Sequence, residues 1–313
     1  MPSKTGKKHI PGKNRSQNRR PAPSREDANK RGAQQPAAQK PAAQKPAAQK
    51  PAAQKPAAPK PPQNGYLIWG RHAVFAALAN NDRRVAQIYA ASDDFEAELQ
   101  SHIRTLPPER RNNLPPIQRI DRQRLDALAG PHDKAVHQGM AAAVWPVDPP
   151  HLDDFLALHQ NLPVRLLLLD QVSDPRNVGA IMRSARAFGV TALITTFRHA
   201  AEENGALARA ASGALDHLLY LRVTNLARAI ERLQQDHIMV AGLAGDGDMT
   251  VASLGGIDRL AIVLGAEGSG LRRLSRDHCD HLVRIDIDPQ SDSLNVSNAA
   301  AIALYAASIS PKR

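Results

Sequence analysis

The chain has 313 residues, a length that a prior of about 150 residues per domain reads as two folded units. Lys and Arg number 41 against 30 Asp and Glu, but residues 1 to 64 hold 15 of the cations and only two acids, Glu26 and Asp27, so the body is close to neutral. A single cysteine, Cys279, excludes a disulfide framework and a Cys-based zinc site, and no apolar run nears the ~20 residues of a membrane span.

Residues 1 to 64 are expected to be a disordered basic tail, because Lys, Arg, Asn, Gln and Pro offer no apolar burial to offset the ordering of the chain. From Pro36 the unit Pro-Ala-Ala-Gln-Lys occurs four times, ending at Lys55, and Pro56 to Lys60 is a variant. A proline every five residues forbids a sustained helix and leaves an extended polycation. It is either a solubilising spacer or a sequence-independent grip on RNA phosphates.

Residues 65–146 read as a small α/β domain. Strands are expected at 66–69, 85–90, 117–120 and 140–145, and helices around Ala73 to Leu78, Phe95 to Leu106 (stopped by Pro107-Pro108) and Arg122 to Leu128. The proline-bearing stretch 147–163 reads as a linker. From 164 to 313 strand and helix alternate: strands at 164–169, 190–195, 218–222, 237–242, 260–264 and 281–287, helices at 175–188, 203–212, 225–235, 268–278 and 296–308. That alternation predicts a mostly parallel sheet covered on both faces, with ligands beyond the carboxyl ends of its strands.

Three loops leave those ends. In the first, Asp174 is a good N-cap, Pro175 suits the first helical position and Gly189 ends the helix. Val178, Ile181, Met182, Ala185 and Phe188 form its buried face; Asn177 sits in the first turn and Arg183 on another side, where a lone arginine is otherwise an ordinary surface residue. The second, Gly265-Ala266-Glu267-Gly268-Ser269-Gly270, lets backbone approach a ligand but is neither a dinucleotide nor a Walker loop; Glu267 could equally cap the next helix. The third, Ile285 to Asn298, ends in Ser293-Leu294-Asn295-Val296-Ser297, where Ser293 and Asn295 suit capping of an Ala-rich helix as well as ligand binding. The histidines are scattered singly, so no metal site is expected.

In this order the three loops resemble the signature motifs of the SpoU (TrmH-like) family of RNA ribose 2′-O-methyltransferases. The resemblance extends over residues 65 to 310, since Gly70 to Val74 and Val136 to Gly139 look like the substrate-binding domain of the ribosomal RNA members. It implies an α/β domain whose C-terminal segment is threaded as a trefoil knot, a homodimer, and S-adenosylmethionine as methyl donor held by Gly265, Ile285 and Leu294; the cytoplasmic compartment is expected from the single cysteine. Asn177, Arg183, Glu267, Ser293 and Asn295 match the family's active-site positions, with Arg183 either general base or clamp on phosphate and alkoxide. The implied substrate is a guanosine ribose in 23S ribosomal RNA. The alternatives are transfer RNA, or a non-catalytic RNA-binding or ribosome-assembly protein on the same fold. The sequence departs from the family where relatives carry Ile-Pro-Met and a glycine, having Ile285-Asp286-Ile287-Asp288-Pro289, and at Asn298, which replaces a small apolar residue.

Overall fold

A computed structural model describes residues 60–129, 137–291 and 293–309; the repeat tail up to Pro59, for which the sequence predicts disorder, lies outside the described residues. The N-terminal body comprises β1 (Tyr66–Trp69), α1 (Arg71–Ala79), β2 (Val85–Ala90), α2 (Asp93–Thr105), α3 (Pro108–Asn112), β3 (Ile117–Arg119), α4 (Arg122–Ala129) and β4 (Met140–Val144). Its sheet runs β1-β4-β2-β3, antiparallel except for β2 with β3. Residues 140–144 are all buried, and three consecutive alanines there let helices and neighbouring strands pack closely. Ser92 caps α2 by accepting the Phe95 amide, and Pro107 ends it.

The second body holds α5 (Leu152–Leu158), β5 (Val164–Asp170), α6 (Pro175–Ala187), β6 (Ala192–Thr196), α7 (Gly205–Ala211), β7 (Leu219–Val223), α8 (Leu226–Gln235), β8 (Met239–Leu243), β9 (Met249–Thr250), β10 (Arg259–Gly265), α9 (Arg273–Asp277), β11 (His281–Arg284) and α10 (Val296–Ser308). The seven strands lie in the order β7-β6-β5-β10-β8-β11-β9, every neighbouring pair parallel. Strand period two divides β5 and β10 between two cores. Leu167, Leu169, Ile262 and Leu264 pack under α6, α7 and α10, whereas Leu166, Leu168, Ala261 and Val263 pack under α5 and α8. Burial on both faces is why these strands read as unbroken apolar runs. Each fully buried leucine contributes about 1.5–3 kcal/mol. Among the described residues no helix is long and apolar enough to cross a membrane.

The bodies meet through a buried ion network. Arg83, 1% exposed, donates from Nε to Asp216 at 2.7 Å, from Nη1 to Tyr66 Oη at 3.0 Å and the Trp145 carbonyl at 2.9 Å, and pairs with Glu203. Desolvation favours the neutral guanidine, but Asp216, Tyr66 and Glu203 together outweigh it and push the Arg83 pKa up. Beside this network, a Cβ on Gly205 would stand 2.3 Å from the Leu67 carbonyl oxygen and 2.4 Å from the Trp69 ring, so only glycine permits the approach of α7 to β1.

Several elements differ from the sequence reading. The stretch read as a linker folds in its middle into α5, whose Phe155 and Leu156 are fully buried. The helix expected at 268–278 is confined to α9, because Gly268 and Gly270 take left-handed φ values of 80° and 66° that a helix cannot contain. The strand expected to reach 287 stops at Arg284, where Asp286 turns back to pair with Arg284 at 2.9 Å. The short α3 and β9 have no counterpart in that reading.

Candidate active site

β5 and β10 pair so that Asp170 and Gly265, their last residues, lie side by side at the carboxyl edge of the sheet. The chain leaving β5 enters α6, whose N-cap Asp174 accepts the Arg176 amide at 2.9 Å, with Pro175 in the first turn. This cap sets Asn177 half-buried in the first turn, facing the other loops, and buries Val178, Ile181, Met182 and Ala185. Arg183 lies six residues further on, exposed, with no hydrogen-bond or ion-pair partner among the described residues.

The chain leaving β10 closes into a tight turn in which Ala266 and Gly270 exchange backbone hydrogen bonds of 3.2 and 2.9 Å. Gly265 is forced by this closure. A Cβ there would stand 2.1 Å from the Gly270 carbonyl carbon and 2.3 Å from the Leu271 nitrogen. The turn displays Glu267, Gly268 and Ser269 to solvent. It is anchored behind by Arg272, whose backbone N–H and Nε donate to the buried Asp170 carboxylate at 3.0 and 2.6 Å.

The third loop delivers Asn295. Its Oδ1 caps α10 by accepting the Ser297 amide at 2.9 Å and the Ser297 hydroxyl at 2.5 Å. The same side chain turns Nδ2 outward and donates to Asn177 Oδ1 at 3.2 Å and Glu267 Oε1 at 2.5 Å. One amide therefore ties all three loops together, and its orientation is fixed: oxygen toward the helix donors, nitrogen toward two acceptors. Capping and site-building are the work of one residue, whereas Glu267 does not cap α9.

Of the residues singled out in the sequence, the structure brings Asn177, Glu267 and Asn295 into hydrogen-bond contact. Ser293 is exposed on the same loop as Asn295, and neither it nor Arg183 bonds to that trio. Gly265, Ile285 and Leu294 are half-buried. The extra carboxylates Asp286 and Asp288 serve their own loop: Asp286 takes Arg284, and Asp288 accepts the Gln290 amide at 2.8 Å. Asp170 and Arg272 were not singled out; the acid ending Leu166-Leu167-Leu168-Leu169-Asp170 was the available signal, since a carboxylate on a buried strand needs a partner. His137 is 3% exposed and is used internally, bonding Asp126 at 2.9 Å and accepting the Gly139 amide at 2.9 Å. Burial, with Asp280 and Asp170 nearby, pushes the Cys279 thiol up to about 12, so it is no nucleophile.

Residues 165–305 match the family described as SpoU rRNA Methylase, and residues 67–150 match the family described as RNA 2′-O ribose methyltransferase substrate binding. The chain is similar to the 23S rRNA (guanosine-2′-O-)-methyltransferase RlmB of Salmonella typhimurium, 40% identical over 244 residues that cover 77% of this chain and 97% of the relative. It is similar to RlmB of Escherichia coli at 39% identity over 242 residues, with coverage of 77% and 97%. Among solved structures it resembles the SpoU methyltransferase AviRb of Streptomyces viridochromogenes in complex with AdoMet. That match has a TM-score of 0.64 and 24% identity, covering 79% of this chain and 90% of the other, a likeness of fold alone.

Proposed function

The chain belongs to the SpoU rRNA methylase family, and from that membership we propose that it transfers the methyl of S-adenosylmethionine to the ribose 2′-hydroxyl of a guanosine in 23S ribosomal RNA. The observation that carries this reading is the junction of Asn177, Glu267 and Asn295 at the carboxyl edge of a parallel sheet, where such sheets bind ligands. The chain spans 97% of two relatives named for this reaction.

The residues present fit the donor. Gly268 and Gly270 have open space where a Cβ would stand, which leaves room for a ligand against the second loop, and Ile285 and Leu294 supply half-buried apolar walls from the third. Gly265, Ile285 and Leu294 would hold it. When bound, S-adenosylmethionine supplies a methyl activated by its sulfonium. The chain's own part is alignment of the ribose oxygen with that methyl and stabilisation of charge. Arg183, exposed and unpaired among the described residues, presents a guanidinium suited to the flanking phosphate and to the developing alkoxide; a permanently charged group is a poor base, so we assign it the clamp. Glu267 and Asn295 brace one another, and the Ser293 hydroxyl and the Glu267 carboxylate offer acceptors to the ribose hydroxyls.

The same reading takes the C-terminal segment to be threaded as a trefoil knot, supported by α10 returning from β11 to pack on α6 and on the short turn Val251–Leu254 between β9 and β10. It takes the protein to be cytoplasmic and a homodimer, the second supported by apolar side chains left exposed on α10, Ile302 and Tyr305 at 38% and 58%, and just past its end, Ile309 at 46%. Mapping ribose methylation across ribosomal and transfer RNA of a deletion strain tests the proposal. Loss of one 2′-O-methylguanosine from 23S RNA is expected; loss confined to transfer RNA, or no loss, refutes it.

A further inference from the structure

On the other side of the sheet from α6 and α10, a cleft of about 400 Å³ opens at the carboxyl ends of β5, β6 and β7, bounded by the start of α9. Its charged and titratable lining is Arg198, His199, Arg272 and Arg273, and no carboxylate lines it. Arg198 has no side-chain partner among the described residues, and the turn that carries it is fixed by Thr196 Oγ1 donating to the Arg198 carbonyl at 2.6 Å. Arg272 is held rigidly against Asp170. Arg273 has only a loose partner, Asp277 at 4.0 Å, with the arginine side chain 87% exposed. Two of the lining residues, Gln171 and His199, adopt left-handed φ of 62° and 59°, uncommon for residues other than glycine. The first amides of α8 are already engaged by Asn225, which accepts from Ala227 and Arg228, so the positive potential comes from side chains.

We infer that this cleft binds backbone phosphate of the RNA strand beside the target nucleotide, through Arg198, Arg273 and His199. The inference rests on the RNA methyltransferase reading. It adds a second phosphate site, on the opposite face of the sheet from Arg183. Three cationic or titratable groups around an open cleft, without acids, suit a phosphodiester. Arg272 joins the cleft to the reacting side, because the residue that walls the cleft also anchors the turn carrying Glu267. RNA held here would approach the site from a fixed direction.

The test compares full-length protein with the double variant Arg198→Gln/Arg273→Gln, using a 23S RNA transcript. Donor affinity by calorimetry and kcat at saturating RNA are expected to stay unchanged. RNA Kd and KM should rise about tenfold, and the log–log slope of Kd against salt should fall by about 1–2. Arg198→Lys should retain the slope, because a point charge suffices for a single phosphate. Arg228→Gln removes a charge from α8 outside the cleft. The inference is overturned if the double variant binds RNA with wild-type slope and KM, or if Arg228→Gln lowers the slope as much. Absence of methyl transfer by the wild-type protein would instead overturn the enzymatic reading, while the binding comparison still decides the cleft.

Discussion

Asn295 donates one side-chain hydrogen bond of 2.5 Å to Glu267, 28 residues earlier in the chain, while its oxygen caps α10. The two halves of this amide do separate work, so they can be separated by substitution. Asn295→Asp keeps a good N-cap but sets a second carboxylate against Glu267 in place of a donor. Methyl transfer is expected to fall about 10- to 100-fold, corresponding to roughly 1.5–3 kcal/mol for a hydrogen bond to a charged group. Thermal melting should move little. Steady-state transfer of tritiated methyl, with a circular-dichroism melt, checks both.

Gly265 and Gly268 differ in what surrounds them, and their alanine variants should differ accordingly. At 265 the nearest atoms are backbone at 2.1–2.3 Å, so the turn must open; at 268 there is open space and only an unfavourable φ of 80°. Gly265→Ala is expected to abolish donor binding by calorimetry. Gly268→Ala should bind donor and cost about 1–2 kcal/mol of stability.

The Arg83 network should dominate stability where the bodies join. Arg83→Met leaves Asp216 and Glu203 without their cation in a buried setting, a loss of about 3–5 kcal/mol. Arg232→Gln, which breaks a pair with Asp153 at 36% and 75% exposure, should cost under about 1 kcal/mol. Urea unfolding of the two variants gives the comparison directly.

Cys279 should be inert in the folded protein. Its thiol is pushed up to about 12 by burial, against about 8.5 for a free cysteine. Since the folded value is the higher one, the contribution to stability is fully present below the free value and is lost as pH rises through about 12. A chromogenic disulfide reagent at pH 8 should label the native chain far more slowly than the chain in guanidinium; equal rates would contradict the burial.

How much of this was legible follows from the range of each interaction. The start of α6 was readable because Asp174, Pro175 and the buried stripe act within a few residues, and α10 likewise begins where Asn295 caps it. The turn after β10 was misread as helix because three glycines within six residues were weighed as freedom for a ligand and not as φ values that exclude a helix. The middle of the linker was missed because Phe155 and Leu156 have no strong local signal between prolines and gain their stability from distant strands. The Asp170–Arg272 anchor, 102 residues apart, and the Arg83–Asp216 pair, 133 apart, carry no local signature. Asn177, Glu267 and Asn295 were legible as a set through resemblance; that a single amide joins them required the fold.

The most direct measurement is the chemical identity of the product. Purified full-length protein is incubated with 23S RNA from a deletion strain and isotopically labelled S-adenosylmethionine, and the RNA is digested to nucleosides for mass spectrometry. The account predicts label in 2′-O-methylguanosine alone, with the methyl on the sugar fragment. Label on a base, label on another nucleoside, or donor bound without transfer would contradict it.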